Sequence, residues 1–305
     1  MTVPPVTRSL AIPPDGTDDI GSRRVSARGR ALRRFRRHRL AMFGLATILL
    51  LVLASAVGPS LIPFNDLFID LRGRFAPPLS GAHLLGTDPL GRDLLARLLM
   101  AGRISLAVGF AAMLLSTAVG AVVGVVAGYY GRSIGIVLMR LVDAILCFPT
   151  VFLLLALAAF IRPSAAMITV IIAGTSWMEI ARIVAAEIRS LRERDFAVAA
   201  EMIGASDGWI MFRELIPNAI GPIVVAATLT VARAILLESY VSFLGYGIQP
   251  PTPSWGNLLN NAQQYLESAP WLAIFPGLTI ALAVTSFNFV GDGLRDALDA
   301  RMDVS

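Results

Sequence analysis

Apolar residues in this chain come in long uninterrupted runs, without the every-other-residue alternation of a half-buried strand. Residues 40–62 are 23 consecutive uncharged positions. A helix rises 1.5 Å per residue, so roughly 20 apolar residues cross about 30 Å of hydrocarbon. Further runs cover 104–131, 134–161, 164–183, a stretch from beyond Pro217 to about 246, and 270–291. Backbone groups in lipid have no water to bond to, so each run must be a helix or part of a closed barrel. Runs that do not alternate exclude the barrel and predict six membrane-spanning helices. The third carries Arg140 and Asp143 in its first turns and a kink at Pro149.

Composition agrees: 56% of the 305 residues are hydrophobic and 15% charged, against about 25% charged in soluble domains. All 26 basic residues are Arg. Nine lie between Arg23 and Arg39, directly before the first run. No aromatic-rich basic fold follows them, so they read as a cytoplasmic anchor and not as a nucleic-acid surface. With the N-terminus inside, most arginines are cytoplasmic, Arg140 and Arg233 lie within spans, and six are external. That distribution places both termini in the cytoplasm. A cleaved signal is a poor fit, because the first run is longer than an h-region of roughly 7 to 15 residues.

These runs organise the chain into a cytoplasmic tail with a basic segment (1–39), a first span with its external loop (40–103), a core of five spans (104–293) holding a cytoplasmic loop at 185–216, and a C-terminal tail (294–305). Residues 1 to about 22, rich in Pro, Gly, Thr and Asp, read as disordered. The external loops at 63–103 and 247–269 are large enough to receive a partner protein.

Much chemistry is excluded. A P-loop requires GxxxxGK[ST], and a chain without lysine cannot contain one. If ATP drives this protein, another subunit binds it. His38 and His83 are the only histidines and lack partner ligands, so no metal site is expected. Cys147 is the only cysteine, which precludes an internal disulfide. HExxH does not occur, which argues against a zinc-dependent enzyme, and no cofactor is implied.

Gly120, Gly124 and Gly128 recur every four residues and predict close packing against another helix. Arg140 and Asp143, three apart, predict a local ion pair. Arg233 and Glu238 are five apart, about 140° around the helix, so each needs a partner on another helix, in a sister subunit or in a water-filled pathway. The loop at 185–216 reads as a helix through Ile203, a turn at Gly204, a cap at Ser206 or Asp207, and a second helix carrying Trp209, Ile210, Met211 and Phe212 up to Pro217. That apolar cluster suits docking into a groove of another protein.

This loop resembles the EAA loop of ABC importer permeases: a small-residue pair, a glycine four residues after its second member, and a proline thirteen further on. Ala199, Ala200, Gly204 and Pro217 match that spacing. The family's glutamate position is Val198, with Glu201 three residues on, and Glu214 stands where an apolar residue is usual. The segment Leu85 to Asp93 (LGTDPLGRD), continuing to Arg97, Arg103 and Ser105, and the segment Ser242 to Gly256 (SFLGYGIQPPTPSWG) are similar to those of dipeptide and oligopeptide permeases of the C-subunit kind.

The resemblance implies an all-α type I importer permease fold in the bacterial inner membrane, working with a homologous B-type permease, two cytoplasmic ATPases and an extracytoplasmic peptide-binding protein. Ala199, Ala200, Gly204, Ala205, Ser206, Asp207, Trp209, Phe212 and Pro217 would form the ATPase-coupling loop. Gly86, Thr87, Asp88, Gly91, Arg92, Asp93, Pro250, Pro251 and Trp255 would serve the binding protein or gating. Arg233 and Glu238 are the pathway candidates. The alternatives are a permease of this architecture for a nickel chelate or another small solute, and a stand-alone ion-coupled carrier.

Overall fold

The computed structural model describes residues 27–64, 66–81, 83–161, 164–260 and 262–298, and the expected tail at 1–26, Arg162 and residues 299–305 lie outside them. Five described helices are long and apolar enough to cross a membrane, and a further pair of helices, bent at a short break, makes six if it is counted as one span. In order these are α1 (Ala27–Arg37), α2 (Arg39–Leu61), α3 (Leu94–Tyr130), α4 (Ile134–Leu146), α5 (Thr150–Phe160), α6 (Ala165–Arg192), α7 (Asp195–Met202), α8 (Asp207–Trp209), α9 (Ile216–Phe243), α10 (Trp255–Leu258) and α11 (Trp271–Leu298).

The centre of the bundle is the α3–α6 pair, the most extensive helix contact in the molecule. Its cause is the glycine stripe. A Cβ on Gly120 would lie 2.6 Å from the Trp177 carbonyl oxygen, one on Gly124 2.6 Å from the Val184 Cβ, and one on Gly128 2.7 Å from the Ala185 carbonyl oxygen. Small residues on one face let two backbones approach where apolar lipid offers no hydrophobic drive for association. Both helices advance together along this seam, so they run parallel. At the flank, α2 and α11 run antiparallel, with Gly44 against Ser286 and Gly293 against Ala41. This brings the start of α2, the end of α11 and Gly221 near the start of α9, which faces Leu298, to one end of the bundle. The α7–α8 turn lies at that end.

Several expected boundaries move. The helix α3 starts at Leu94 and not near 104, because a side chain caps it there. Asp93 caps it, accepting from the Ala96 amide at 2.7 Å. Arg103 donates to the carbonyls of Ser55 and Ala56, both at 2.7 Å. Pro59 lacks the N–H that would have served Ser55, four residues before it, so Arg103 fills a vacancy that proline creates. The helix α6 runs on to Arg192, so the connection to the next span is shorter than 185–216. The kink at Pro149 is a break: α4 and α5 meet at 79°. Pro217 opens nothing, since the helix is continuous from Asp207 to Phe243. Ahead of the proline the turn widens over Ile210–Leu215, and the Ile216 amide reaches back five residues to the Met211 carbonyl. The wider turn accommodates the ring that would strike the preceding helical turn. The segment of the tail from 27 onward is helical and packs on α11 through Phe35, and α11 extends to Leu298, past the expected boundary at 293.

Candidate functional site

At the α7 end, the sequence builds a knuckle. Gly204 terminates α7 with φ of +81°, and the Ala205 amide closes onto the Ala200 carbonyl at 3.1 Å, a glycine-dependent helix stop. The Ser206 hydroxyl then accepts from the Trp209 amide at 3.4 Å and starts α8. Asp207 does not cap. It accepts from the Tyr129 hydroxyl at 2.9 Å, while Arg192 stacks over the Tyr129 ring and donates to the Tyr129 carbonyl. The knuckle is thereby fixed to the ends of both α3 and α6. Ile210 and Met211 are buried against Val184, Ile188 and Leu191, so only half of the expected cluster faces out. What faces out is Trp209 at 44% exposure and Phe212 at 68%, joined by Met202 at 84% and Ile203 at 82%. The last two were not singled out from sequence. Their position just before a left-handed glycine was the available signal. Ala199 is exposed, Ala200 is buried, and Pro217 sits on the exposed side of the continuing helix.

At the opposite end, the residues of the LGTDPLGRD segment hold the chain together. Thr87 is fully buried, donates to the Gly73 carbonyl at 2.5 Å and accepts from the Ala76 amide at 2.8 Å. Asp88 accepts from the amides of Leu90 and Arg92 at 2.8 and 3.0 Å and from the Arg92 side chain at 2.7 Å. Asp93 also meets His83 at 2.8 Å. Gly86 and Gly91 have positive φ, and a Cβ on Gly91 would fall 1.7 Å from the Asp70 carbonyl oxygen. These buried groups shape the loop. The surface it offers carries exposed Phe68, Ile69, Leu71, Leu79 and Leu84 beside exposed Arg72 and Arg74.

The second segment folds back into the bundle. Pro250–Pro251 is a cis bond, Ser254 and Asn257 bond reciprocally in a capping box, and Trp255 is buried with its indole donating to the Leu98 carbonyl at 3.1 Å. Glu238 anchors this segment. One carboxylate oxygen accepts from the Ser105 hydroxyl at 2.9 Å and the other from the Ser242 hydroxyl at 2.7 Å. Each serine in turn accepts a backbone amide of the segment: Trp255 at 3.1 Å and Ile248 at 3.1 Å. Glu238 has 0% exposure, so its carboxylate is sealed inside the chain.

Arg233 behaves otherwise, pairing with Glu179 on α6. The expected local pair of Arg140 and Asp143 is also replaced, since Asp143 meets Arg182 on α6 at 2.5 Å. A partner across the bundle fixes two helices together, and Arg182 lies where Arg140 does not. Glu179 and Arg182 were missed from sequence, although an acid and a base three residues apart in an apolar run were the signal.

Five long apolar helices, six spans if the bent α4–α5 pair is one, with charges paired between helices, define the class as a multi-pass membrane protein. The family model described as "binding-protein-dependent transport system inner membrane component" matches residues 120–304, and that of the "N-terminal TM domain of oligopeptide transport permease C" matches 26–78. The chain is 43% identical to a Brucella suis protein named as a peptide permease, over 90% of this chain and 92% of that one. It is 38% identical to the dipeptide transport system permease protein DppC of Alkalihalophilus pseudofirmus, over 91% of each. It is 38% identical to the oligopeptide transport system permease protein OppC of Haemophilus influenzae, over 89% and 88%. The chain belongs to the binding-protein-dependent transport system inner membrane component family, as a C-type permease of ABC importers. It is an inner-membrane protein and not itself an enzyme.

Proposed function

We propose that this chain is half of the translocation pathway of a peptide importer, coupled to cytoplasmic ATPases through the Gly204 knuckle. A homologous B-type permease would complete the pathway, and a peptide-binding protein would dock on the opposite, extracytoplasmic end. The arginine distribution supports this orientation, because most of the positive charge falls on the knuckle side. The observation that carries the reading is the knuckle itself. Met202, Ile203, Trp209 and Phe212 form an exposed apolar patch on a turn anchored through Tyr129, Arg192 and Asp207. An anchored apolar projection transmits a push from a partner's groove into α3, α6 and α9 as rigid bodies. Names of relatives support peptide as cargo.

The test is uptake by the assembled importer. Trp209→Arg should abolish import and peptide-stimulated ATP hydrolysis while leaving the chain in the membrane; full transport by a stably inserted variant counts against the coupling role. Parallel uptake of labelled dipeptide and of chelated nickel separates the cargo readings. Uptake by this chain reconstituted alone would favour a self-sufficient carrier.

A further inference from the structure

Charged side chains facing lipid at mid-bilayer depth are costly, so a half-exposed intramembrane charge marks a surface that lipid does not cover. Glu179 lies at the midpoint of the 28-residue α6, and Arg182 follows three residues on. The side chains of the Glu179–Arg233 pair are 45% and 51% exposed, and those of the Asp143–Arg182 pair 46% and 56%. Two acids and two bases from α4, α6 and α9 thus share one open face. The intramembrane acid of α9, Glu238, is by contrast sealed and bonded to two serines, so the open face is not a general property of the bundle. Each open pair has solvent-facing atoms and can exchange its partner for an incoming ion of the same sign.

We propose that Glu179, Arg182, Arg233 and Asp143 form a charged station in the hydrated pathway that receives both termini of a passing peptide. The carboxylate of Glu179 or Asp143 takes the α-ammonium, and the guanidinium of Arg182 or Arg233 takes the α-carboxylate. The presence of both signs on one face matches a zwitterion and not a cation or anion alone. The assignment rests on the peptide-import reading.

Cys147 is the chain's only cysteine, so Cys147→Ser gives a cysteine-free parent. In that parent, Glu179→Cys and Arg233→Cys are introduced singly, with Phe152→Cys, an exposed apolar position on α5, as the lipid-side control. The complete importer in nanodiscs is treated with a membrane-impermeant sulfonate methanethiosulfonate reagent, with and without excess trialanine. The expected result is labelling at 179 and 233 at least tenfold faster than at 152, slowed severalfold by trialanine during turnover. No labelling at 179 and 233 means that lipid or the sister permease covers the face and overturns the proposal. Labelling that trialanine leaves unchanged also overturns it. Trialanine uptake by the Cys147→Ser parent is measured separately: its absence refutes the peptide-import reading, whereas its presence with an unprotected station refutes only the station.

Discussion

Replacing Gly204 isolates backbone conformation from space. Its φ is +81°, yet no atom lies within 4 Å of where a Cβ would stand. A substituted side chain therefore meets nothing, and the cost is that of the left-handed region, about 1–2 kcal/mol for an ordinary L-residue. Asn tolerates that region best and β-branched residues worst. Pro is incompatible, since its ring fixes φ near −65°. The turn is closed by two backbone bonds, Gly204 N–H to the Glu201 carbonyl at 3.0 Å and Ala205 N–H to the Ala200 carbonyl at 3.1 Å. It lies outside the α3–α6 seam, so the penalty falls on the knuckle and leaves the bundle intact. A cost of about 1–2 kcal/mol lowers the population of the docking-competent turn by about 5–30-fold. Gly204→Asn should thus couple nearly normally, Gly204→Ala less well, Gly204→Val poorly and Gly204→Pro not at all, with equal amounts of protein in the membrane. The assay is binding-protein-stimulated ATP hydrolysis and peptide uptake by the reconstituted importer. If the variants rank by side-chain volume, with Asn worse than Ala, or if Gly204→Pro couples normally, the reasoning fails.

Other perturbations test the bundle and its loops. Gly124→Leu forces α3 and α6 apart against the Val184 Cβ and the Ala181 carbonyl. It should destabilise the chain by about 1–3 kcal/mol, read as a lowered unfolding midpoint of the purified complex. Ser105→Ala leaves the Trp255 amide and one Glu238 oxygen without their partner, at about 1–3 kcal/mol for an unmet buried group. Hydrogen exchange at the Trp255 amide should accelerate about tenfold or more, and unchanged exchange would refute the anchoring role. Gly91→Ala places a Cβ 1.7 Å from the Asp70 carbonyl, whereas Gly81→Ala meets nothing within 4 Å although both have positive φ. Gly91→Ala should therefore sharply reduce the inserted protein recovered from membranes, and Gly81→Ala should reduce it little.

The five long spans and the glycine seam were legible because each depends on local sequence: an apolar length in one case, a four-residue spacing in the other. The turn at Gly204 was legible for the same reason. What sequence did not disclose depends on partners far along the chain. Arg97 and Arg103 read as the polar end of a loop, yet Arg97 is buried within 3.7 Å of Asp88 and Arg103 reaches the carbonyls of α2. With Asp93 capping its start, the helix begins ten residues earlier than hydropathy suggests. Asp143 has Arg140 within reach along its own helix and takes Arg182 instead. Glu238 reads as a pathway residue until Ser105, 133 residues away, is seen to bond it. The exposed apolar patch was half legible, because periodicity places Trp209 and Phe212 outward only once the direction of Ile210 and Met211 is fixed by α6.

The central claim is that the Gly204 knuckle meets the ATPases. The direct measurement is a photo-crosslinking residue at Phe212, introduced in the assembled importer and activated in native membranes. A covalent adduct with an ATP-binding subunit is expected, lost when Gly204→Pro is combined with it. An adduct confined to lipid, or one that persists unchanged in the Gly204→Pro background, would contradict it.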